Sequence, residues 1–412
     1  MWRGAELPDS NAIQPSGGMN YISSLDGIRG LAILLVFFIH LQQSGVVPAN
    51  LHLVNALMHC GWCGVDLFFV LSGFLITLGL LESKGSVNYF SAFYMRRILR
   101  IFPLYYAVLA AAIIGGVIFS SYPISPSWAA WLSHALFLQN WWMPWLEPTS
   151  PNILGHFWSL GVEEQFYLVW PLCVWLLPRR YLPGFCIAIC AAVLALRFFL
   201  VQYYNPFPQI LLMNTATRAD TLIVGALCAV VTRDRTRLAR VRRWLPAVAV
   251  LAFSFLVVMF FGIKDKSAQL YYTDTLGFTA LALTFGPLVL WAYLFRGSRN
   301  WYDRLLSLRP LTNAGKYSYG LYVYHLPVIF IAKMLFDKKP WFGHDILPGL
   351  LFCFCAVAVA ICVAVASYEL FEKRFLRLKR YFKPRYESVR QQESSMIDTC
   401  APVTVASLEP EL

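Results

Sequence analysis

Titratable side chains stand inside apolar segments at four places in the sequence. They are His40 in GIRGLAILLVFFIHL, Glu163 and Glu164 in FWSLGVEEQFYLVWP, His325 in YSYGLYVYHLPV and Asp66 in GVDLFFVLSGFLI. An ionisable side chain is costly in an apolar environment and therefore usually serves a function there. An imidazole beside a carboxylate can act as a general base, with its ring held in one tautomer. These residues predict acid–base chemistry or proton movement in a buried site.

Three arginines accompany these groups at helical spacing. Arg29 precedes His40 by eleven residues, and eleven helical steps place both side chains on one face, about 16 Å apart. Arg97 and Arg100 are three residues apart and also share a face. Guanidinium groups bind phosphate oxygens through paired hydrogen bonds, so the three arginines predict a phosphate-bearing ligand. The general excess of basic residues on the cytoplasmic side of membrane proteins would also explain Arg97 and Arg100.

The elements that position these residues are predicted to be membrane-spanning helices. The chain has 412 residues, of which 58% are hydrophobic and 14% charged, and its mean hydropathy is +0.57. Soluble domains contain about 45–50% apolar and about 25% charged residues. The composition therefore excludes an ordinary soluble enzyme and a disordered chain. The net charge of +12 is explained by basic residues beside apolar segments, and we expect no nucleic-acid partner.

The apolar segments predict an all-α, polytopic membrane helix bundle with about ten transmembrane helices. The predicted spans are roughly 28–46, 65–82, 98–120, 157–177, 183–201, 219–233, 245–263, 275–295, 317–336 and 347–370. Basic residues are concentrated in alternate loops and at both ends, so we expect both termini in the cytoplasm. The apolar stretch Trp128 to Leu138 is too short to span and is predicted to lie at the interface or to re-enter.

The spans divide the chain into three parts. Residues 1–20 are predicted to be a flexible cytoplasmic segment, since they lack the apolar core of a signal peptide. Residues 21–375 are predicted to form the transmembrane domain. Residues 376–412 are predicted to be a basic juxtamembrane helix on the anionic leaflet, followed by a disordered tail. Cys60 and Cys63 have the spacing of a redox motif, but we expect packing or a small disulfide there and no metal site.

Five segments of the sequence stand in a distinctive order. They are LDGIRGLAILLVFFIH with its Arg-x10-His spacing, GVDLFFVLSGFLIT, YMRRILRIFPLYY, FWSLGVEEQFYLVWP and YSYGLYVYHLPV. In this order they resemble the acyltransferase-3 family of membrane O-acyltransferases. The resemblance covers about residues 21–375. One segment alone would be a weak signal, but five in order are specific.

The resemblance implies about ten helices and transfer of an acyl group, usually acetyl, from coenzyme A to a hydroxyl of a carbohydrate or related acceptor. It implies that His40 is the catalytic histidine and Arg29 its partner. Arg97 and Arg100 match the basic residues of the third span, and Glu163 matches the glutamate of the fourth. Many relatives carry a C-terminal SGNH-type esterase domain, which the residues after the tenth span cannot form. We therefore expect a stand-alone transferase that modifies lipopolysaccharide or exopolysaccharide.

These expectations combine into a trans-bilayer O-acetyltransferase of the bacterial inner membrane, with no bound cofactor. Acetyl-CoA, or another acyl-CoA, would be the co-substrate and would bind from the cytoplasm with its phosphates on the arginines. The glycan hydroxyl would approach from the opposite face, past Asp66 and an aromatic loop at Trp141 to Trp145. His40 would take the hydroxyl proton, Glu163 would orient or neutralise the imidazolium, and His325 would support them. A route through an acetyl-His40 intermediate stays open.

Two other classes of function stay open from the sequence. A proton-coupled transporter of a glycan or organic acid could use buried His and Glu side chains as a relay, although the sequence shows no repeated halves. A subunit that binds acyl-CoA or glycan without turnover is the second. His325 could equally be a structural hydrogen bond between helices. Transfer or hydrolysis of acetyl-CoA would favour the enzyme, whereas uptake without acyl-CoA would favour the transporter.

Overall fold

The computed structural model describes residues 22–48, 50–118, 127–146, 153–204, 208–262, 271–298, 300–336 and 346–386. Within these ranges the chain forms helices and turns, and no β-strand. The predicted flexible segment 1–20 lies outside the described residues, and so does the predicted disordered tail from residue 387 onward.

Ten helices of 17 residues or more in the described part of the chain follow the ten predicted spans in order. They are α1 Ser23–Gln43, α2 Gly64–Ser83, α3 Tyr89–Ile118, α4 Trp158–Leu176, α5 Leu182–Tyr204, α6 Thr215–Val231, α7 Arg235–Val257, α8 Phe278–Leu294, α9 Ser318–Phe336 and α10 Ile346–Ser367. Eight helical segments of the described chain are long and apolar enough to cross a membrane, and α4 and α9 are not among them. The prediction of an all-α polytopic bundle is confirmed.

Short helices connect the long ones or, for the last of them, follow α10. They are His52–His59, Trp128–Ala135, Gln139–Leu146, Pro208–Met213, Trp301–Leu306, Arg309–Lys316 and Lys373–Leu378. The apolar stretch from Trp128 forms a helix of only eight residues, which is too short to cross a bilayer. The prediction of an aromatic loop at Trp141 was wrong, because that residue lies inside the helix Gln139–Leu146.

Glycines let the central helices approach one another closely. A Cβ at Gly30 of α1 would overlap the carbonyl oxygen of Leu311, and a Cβ at Gly73 of α2 would overlap that of Leu222 in α6. Small residues of this kind are typical of helix contacts in membranes. Gly30 directly follows Arg29, so the contact with the helix Arg309–Lys316 fixes the backbone from which Arg29 projects.

Three short helical elements follow α10 without a break. A π-helical turn, Tyr368–Glu372, leads into the helix Lys373–Leu378 and then into the 3-10 turn Lys379–Phe382. This stretch contains most of the segment predicted to lie on the membrane surface. In the structure it packs against α3, so part of its surface contacts protein.

Candidate active site

A cavity of about 100 Å³ lies between α1, α2, α3, α4 and α9. Three guanidinium groups and one carboxylate line it, from Arg29, Arg97, Arg100 and Glu163, and we call it the arginine cavity. Arg29 forms an ion pair with Asp26. Among the described residues, neither Arg97 nor Arg100 has a carboxylate at ion-pair distance. The structure therefore brings together the three arginines that the sequence suggested as ligands of phosphate, with an excess of positive charge.

Arg97 is held in place mainly by aromatic rings. Its guanidinium carbon lies 5.8 Å from the ring centroid of Phe93 and 5.8 Å from that of Tyr167. Its Nε is buried and has no hydrogen-bond partner in the described structure. Cation–π contacts orient a guanidinium group without using its N–H donors. Arg97 therefore keeps its Nε–H available to an anionic ligand. A buried N–H group of this kind normally has a hydrogen-bond partner.

Glu163 lies on α4, one turn before Tyr167. Its carboxylate accepts hydrogen bonds from the Ser72 hydroxyl at 2.7 Å and from the Tyr167 hydroxyl at 3.1 Å. These are its hydrogen-bond partners among the described residues, and His40 is not one of them. The expected pairing of Glu163 with His40 was wrong, because α4 directs the carboxylate toward α2 and into the arginine cavity.

His40 pairs instead with the other histidine that the sequence singled out. The Nδ1 atom of His40 lies 3.2 Å from Nε2 of His325, and the ring centroids are 4.8 Å apart. His325 is fully buried, whereas His40 is partly exposed. We call these two residues the histidine pair.

Backbone carbonyls assign the tautomers of the histidine pair. Nδ1 of His40 is 2.8 Å from the Val36 carbonyl oxygen, and Nδ1 of His325 is 2.6 Å from that of Tyr322. A carbonyl only accepts, so each neutral ring carries its hydrogen on Nδ1. The one Nδ1–H of His40 is then shared between the Val36 carbonyl at 2.8 Å and the unprotonated Nε2 of His325 at 3.2 Å. This leaves Nε2 of His40 with a lone pair, as a general base requires.

His40 lies nearer to a helix end than the sequence suggested. The predicted first span placed it about halfway through the membrane, but α1 ends at Gln43 and His40 belongs to its last turn. Its partner His325 is the eighth of nineteen residues in α9. The histidine pair is therefore level with the middle of α9, at a point where α1 has almost ended.

Tyr322 connects the histidine pair to the arginine cavity. Its carbonyl oxygen binds His325, and its hydroxyl donates to the His156 carbonyl at 2.7 Å. The same hydroxyl is hydrogen-bonded to Ser159, and both Ser159 and Tyr322 line the cavity. His40 is not one of the residues that line it, and Tyr322 contacts both the cavity and the histidine pair.

The sequence analysis missed His156. Its ring centroid lies 4.7 Å from that of His325, and its Nε2 is 3.3 Å from the Val323 carbonyl. It stands in the 3-10 turn Gly155–Phe157, directly before α4. The residue fell just outside a predicted span, although its position next to the FWSLGVEE segment was a usable signal.

Asp66 lies in different surroundings from the arginine cavity. It is 1% exposed and accepts from Arg218 at 2.6 Å. The sixth predicted span, 219–233, begins one residue after Arg218 and leaves that residue in a loop. This was wrong, because Arg218 is fully buried in α6 with its guanidinium 3.8 Å from the Phe278 ring centroid. The Asp66 carboxylate is therefore ion-paired inside the bundle. These contacts do not support the expectation that Asp66 lies along the path of the acceptor.

Comparison with known proteins relates this site to a family. The model of the acyltransferase domain called acyltransferase-3 matches residues 22–369. The chain is 31% identical over 351 residues to a protein of Bacillus subtilis (strain 168) named "Putative peptidoglycan O-acetyltransferase YrhL", an alignment covering 81% of this chain and 52% of that protein. It is 26% identical over 344 residues to O-acetyltransferase OatA of Staphylococcus aureus, covering 80% of this chain and 54% of OatA. The chain thus spans about half the length of these curated relatives. No solved structure matches it.

Proposed function

This chain belongs to the acyltransferase-3 family, and we propose that it is a membrane O-acetyltransferase that uses acetyl-CoA as donor and a hydroxyl of a cell-envelope glycan as acceptor. The observation that carries the proposal is the histidine pair, with a free Nε2 on His40, next to a cavity with more guanidinium groups than carboxylates. The names of the two relatives support O-acetyl transfer.

The arginine cavity would bind the phosphate groups of the donor. Arg97 and Arg100 project from one face of α3, and Arg29 faces them from α1. Their guanidinium groups offer paired donors to phosphate oxygens. Arg29 and His40 are about 16 Å apart along α1, so the donor needs a long arm between its phosphates and its reactive carbon. Acyl-CoA has this shape, because the pantetheine chain separates its phosphates from the thioester.

The histidine pair would carry out the proton transfers. The acceptor oxygen forms a bond to the thioester carbonyl carbon, and its proton passes to Nε2 of His40. As the C–S bond breaks, the departing thiolate takes this proton, and His40 returns to its neutral tautomer. While His40 is charged, Nδ1–H keeps donating to Nε2 of His325, which holds the ring in place. A route in which His40 first becomes acetylated uses the same geometry.

The acceptor is proposed as a glycan of the cell envelope. The name of one relative specifies peptidoglycan, whereas the resemblance noted from the sequence led us to expect lipopolysaccharide or exopolysaccharide. Each of these glycans offers hydroxyl groups to the same transfer chemistry. The experiment therefore compares peptidoglycan with lipopolysaccharide.

Mass spectrometry of cell-envelope glycans from cells with and without the gene tests this function. We expect peptidoglycan fragments or lipopolysaccharide to lose the mass of one acetyl group per modified unit when the gene is absent. The substitution His40→Ala should give the same loss, because general-base catalysis contributes about 10²–10⁴-fold to rate. His59→Ala is the matched control, since His59 is exposed in the short helix His52–His59, and it should leave acetylation unchanged. Acetylation that persists in a folded His40→Ala variant would reject the proposal.

A further inference from the structure

The stretch that follows α10 is hydrogen-bonded to the turn between α2 and α3. The Asn88 side chain donates to the Lys383 carbonyl at 3.0 Å and accepts from the Arg385 amide at 2.8 Å. The Val87 amide donates to the Arg385 carbonyl at 2.9 Å. The Tyr386 hydroxyl donates to the Glu82 carbonyl at 2.8 Å. These four hydrogen bonds hold residues 379–386, which we call the C-terminal segment, against the end of α3 that carries Arg97.

Lys379 begins this segment, and its 3-10 turn packs against α3. Three arginines, Arg96, Arg97 and Arg100, lie on the helix that this turn contacts, and with Arg29 they are near enough to interact with the Lys379 ammonium group. No carboxylate lies at ion-pair distance from Lys379 among the described residues. The side chain is only partly exposed, so water screens this repulsion less than it would at an open surface.

Repulsion among five cations is relieved when an anion binds among them. A single phosphate group is matched by two or three donors, whereas coenzyme A carries phosphates at more than one position. Arg29, Arg97 and Arg100 line the arginine cavity. Lys379 does not line it, but the turn that begins at Lys379 packs against α3, the helix that carries Arg97 and Arg100. Its charge is therefore in position for a phosphate outside the cavity.

We propose that Lys379 and the C-terminal segment form the outer part of the donor site, where Lys379 binds a phosphate group of a nucleotide-bearing acyl donor that also occupies the arginine cavity. This inference rests on the proposed function and adds a residue to it. The segment then has a second role besides contact with lipid headgroups: it closes the donor site at the end of α3.

The test is steady-state kinetics of the full chain in nanodiscs, with acetyl-CoA and with acetyl-3′-dephospho-CoA. Lys379→Gln should raise the KM for acetyl-CoA about tenfold with kcat unchanged, as expected for one lost charge-assisted hydrogen bond. Lys379→Arg should restore the KM. Arg374→Gln is the matched control, because Arg374 carries the same charge and is exposed in the helix Lys373–Leu378, outside the C-terminal segment; its KM should stay at the wild-type value. If Lys379 binds the 3′-phosphate, the increase in KM caused by Lys379→Gln and the increase caused by removing the 3′-phosphate from the donor should not be additive.

An unchanged KM in Lys379→Gln with acetyl-CoA would overturn the inference, while the His40 experiment would still decide the proposed function. Should the wild-type chain transfer no acetyl group, binding of coenzyme A by calorimetry still tests Lys379 alone. Lipid headgroups are the other source of phosphate, so the kinetics are repeated in nanodiscs of phosphatidylcholine only. A KM effect that appears only with anionic lipid would assign Lys379 to the membrane surface and reject the donor site.

Discussion

Two groups of arginines lie inside the helix bundle, and their surroundings differ. In the first, which we call the ion-pair cluster, Arg197 binds Asp220 at 2.7 Å and Arg218 binds Asp66 at 2.6 Å. All four of these side chains are at most 1% exposed. In the arginine cavity, by contrast, three half-buried arginines share one lining carboxylate. One group is neutral and closed, and the other is cationic and surrounds an open space.

The difference shows which buried charges serve the fold and which are suited to binding. Two N–H groups of Arg218 also lack a hydrogen-bond partner, but the Phe278 ring covers its guanidinium. Arg97 has its Nε without a partner beside a cavity into which a ligand fits. An arginine that is paired with a carboxylate forms a neutral pair inside the bundle. An arginine without such a partner is suited to binding an anionic ligand.

The largest effect on stability is expected in the ion-pair cluster. Arg218→Ala should destabilise the protein by about 3–5 kcal/mol, because it leaves the Asp66 carboxylate buried without its partner. Thermal unfolding in detergent, followed by gel filtration, measures this loss. The double variant Asp66→Asn with Arg218→Gln should recover part of the stability. A protein with Arg218→Ala that unfolds at the wild-type temperature would contradict the distinction between the two groups.

A substitution in the arginine cavity should instead weaken donor binding and leave the stability of the protein nearly unchanged. Arg100→Gln should raise the KM for acetyl-CoA by about 10- to 100-fold, which corresponds to the roughly 1.5–3 kcal/mol of a hydrogen bond to a charged group. Its unfolding temperature should stay near wild type, because no described carboxylate loses its ion-pair partner. Loss of stability without a change in KM would place Arg100 with the structural arginines.

A smaller effect is expected from the histidine pair's second member. His325→Phe should lower kcat by roughly tenfold to a hundredfold with little change in KM, because His40 loses the acceptor that orients its ring. His325→Gln keeps a side-chain acceptor and should retain more of the activity. This rescue by the conservative variant, measured with kcat and KM separately, distinguishes a positioning role from a purely structural one. Equal losses in both variants would favour the structural role.

The sequence predicts the helices well because a bilayer requires about 20 apolar residues in each span. The first span shows the limits of this prediction: α1 begins at Ser23 and ends at Gln43, whereas hydropathy indicated 28–46. Ser24 and Leu25 are buried in the bundle, so packing extends the helix into a segment that composition alone would not assign to it.

The partners of the site residues were much harder to predict than the residues themselves. His40 and His325 are separated by 285 residues, and Asp66 and Arg218 by 152. Spacing within a helix indicates which side chains share a face, but not which other helix that face contacts. The sequence therefore named His40, Glu163 and the arginines, and yet joined Glu163 to the wrong partner.

The most direct test of the account measures binding and transfer on the same variant. Purified wild-type chain and His40→Ala are compared in nanodiscs for affinity toward coenzyme A and for movement of a labelled acetyl group to a glycan fragment. The account predicts that His40→Ala binds coenzyme A as tightly as wild type and transfers no label above background. Label transfer by His40→Ala at the wild-type rate would show that the imidazole at the end of α1 is not the base.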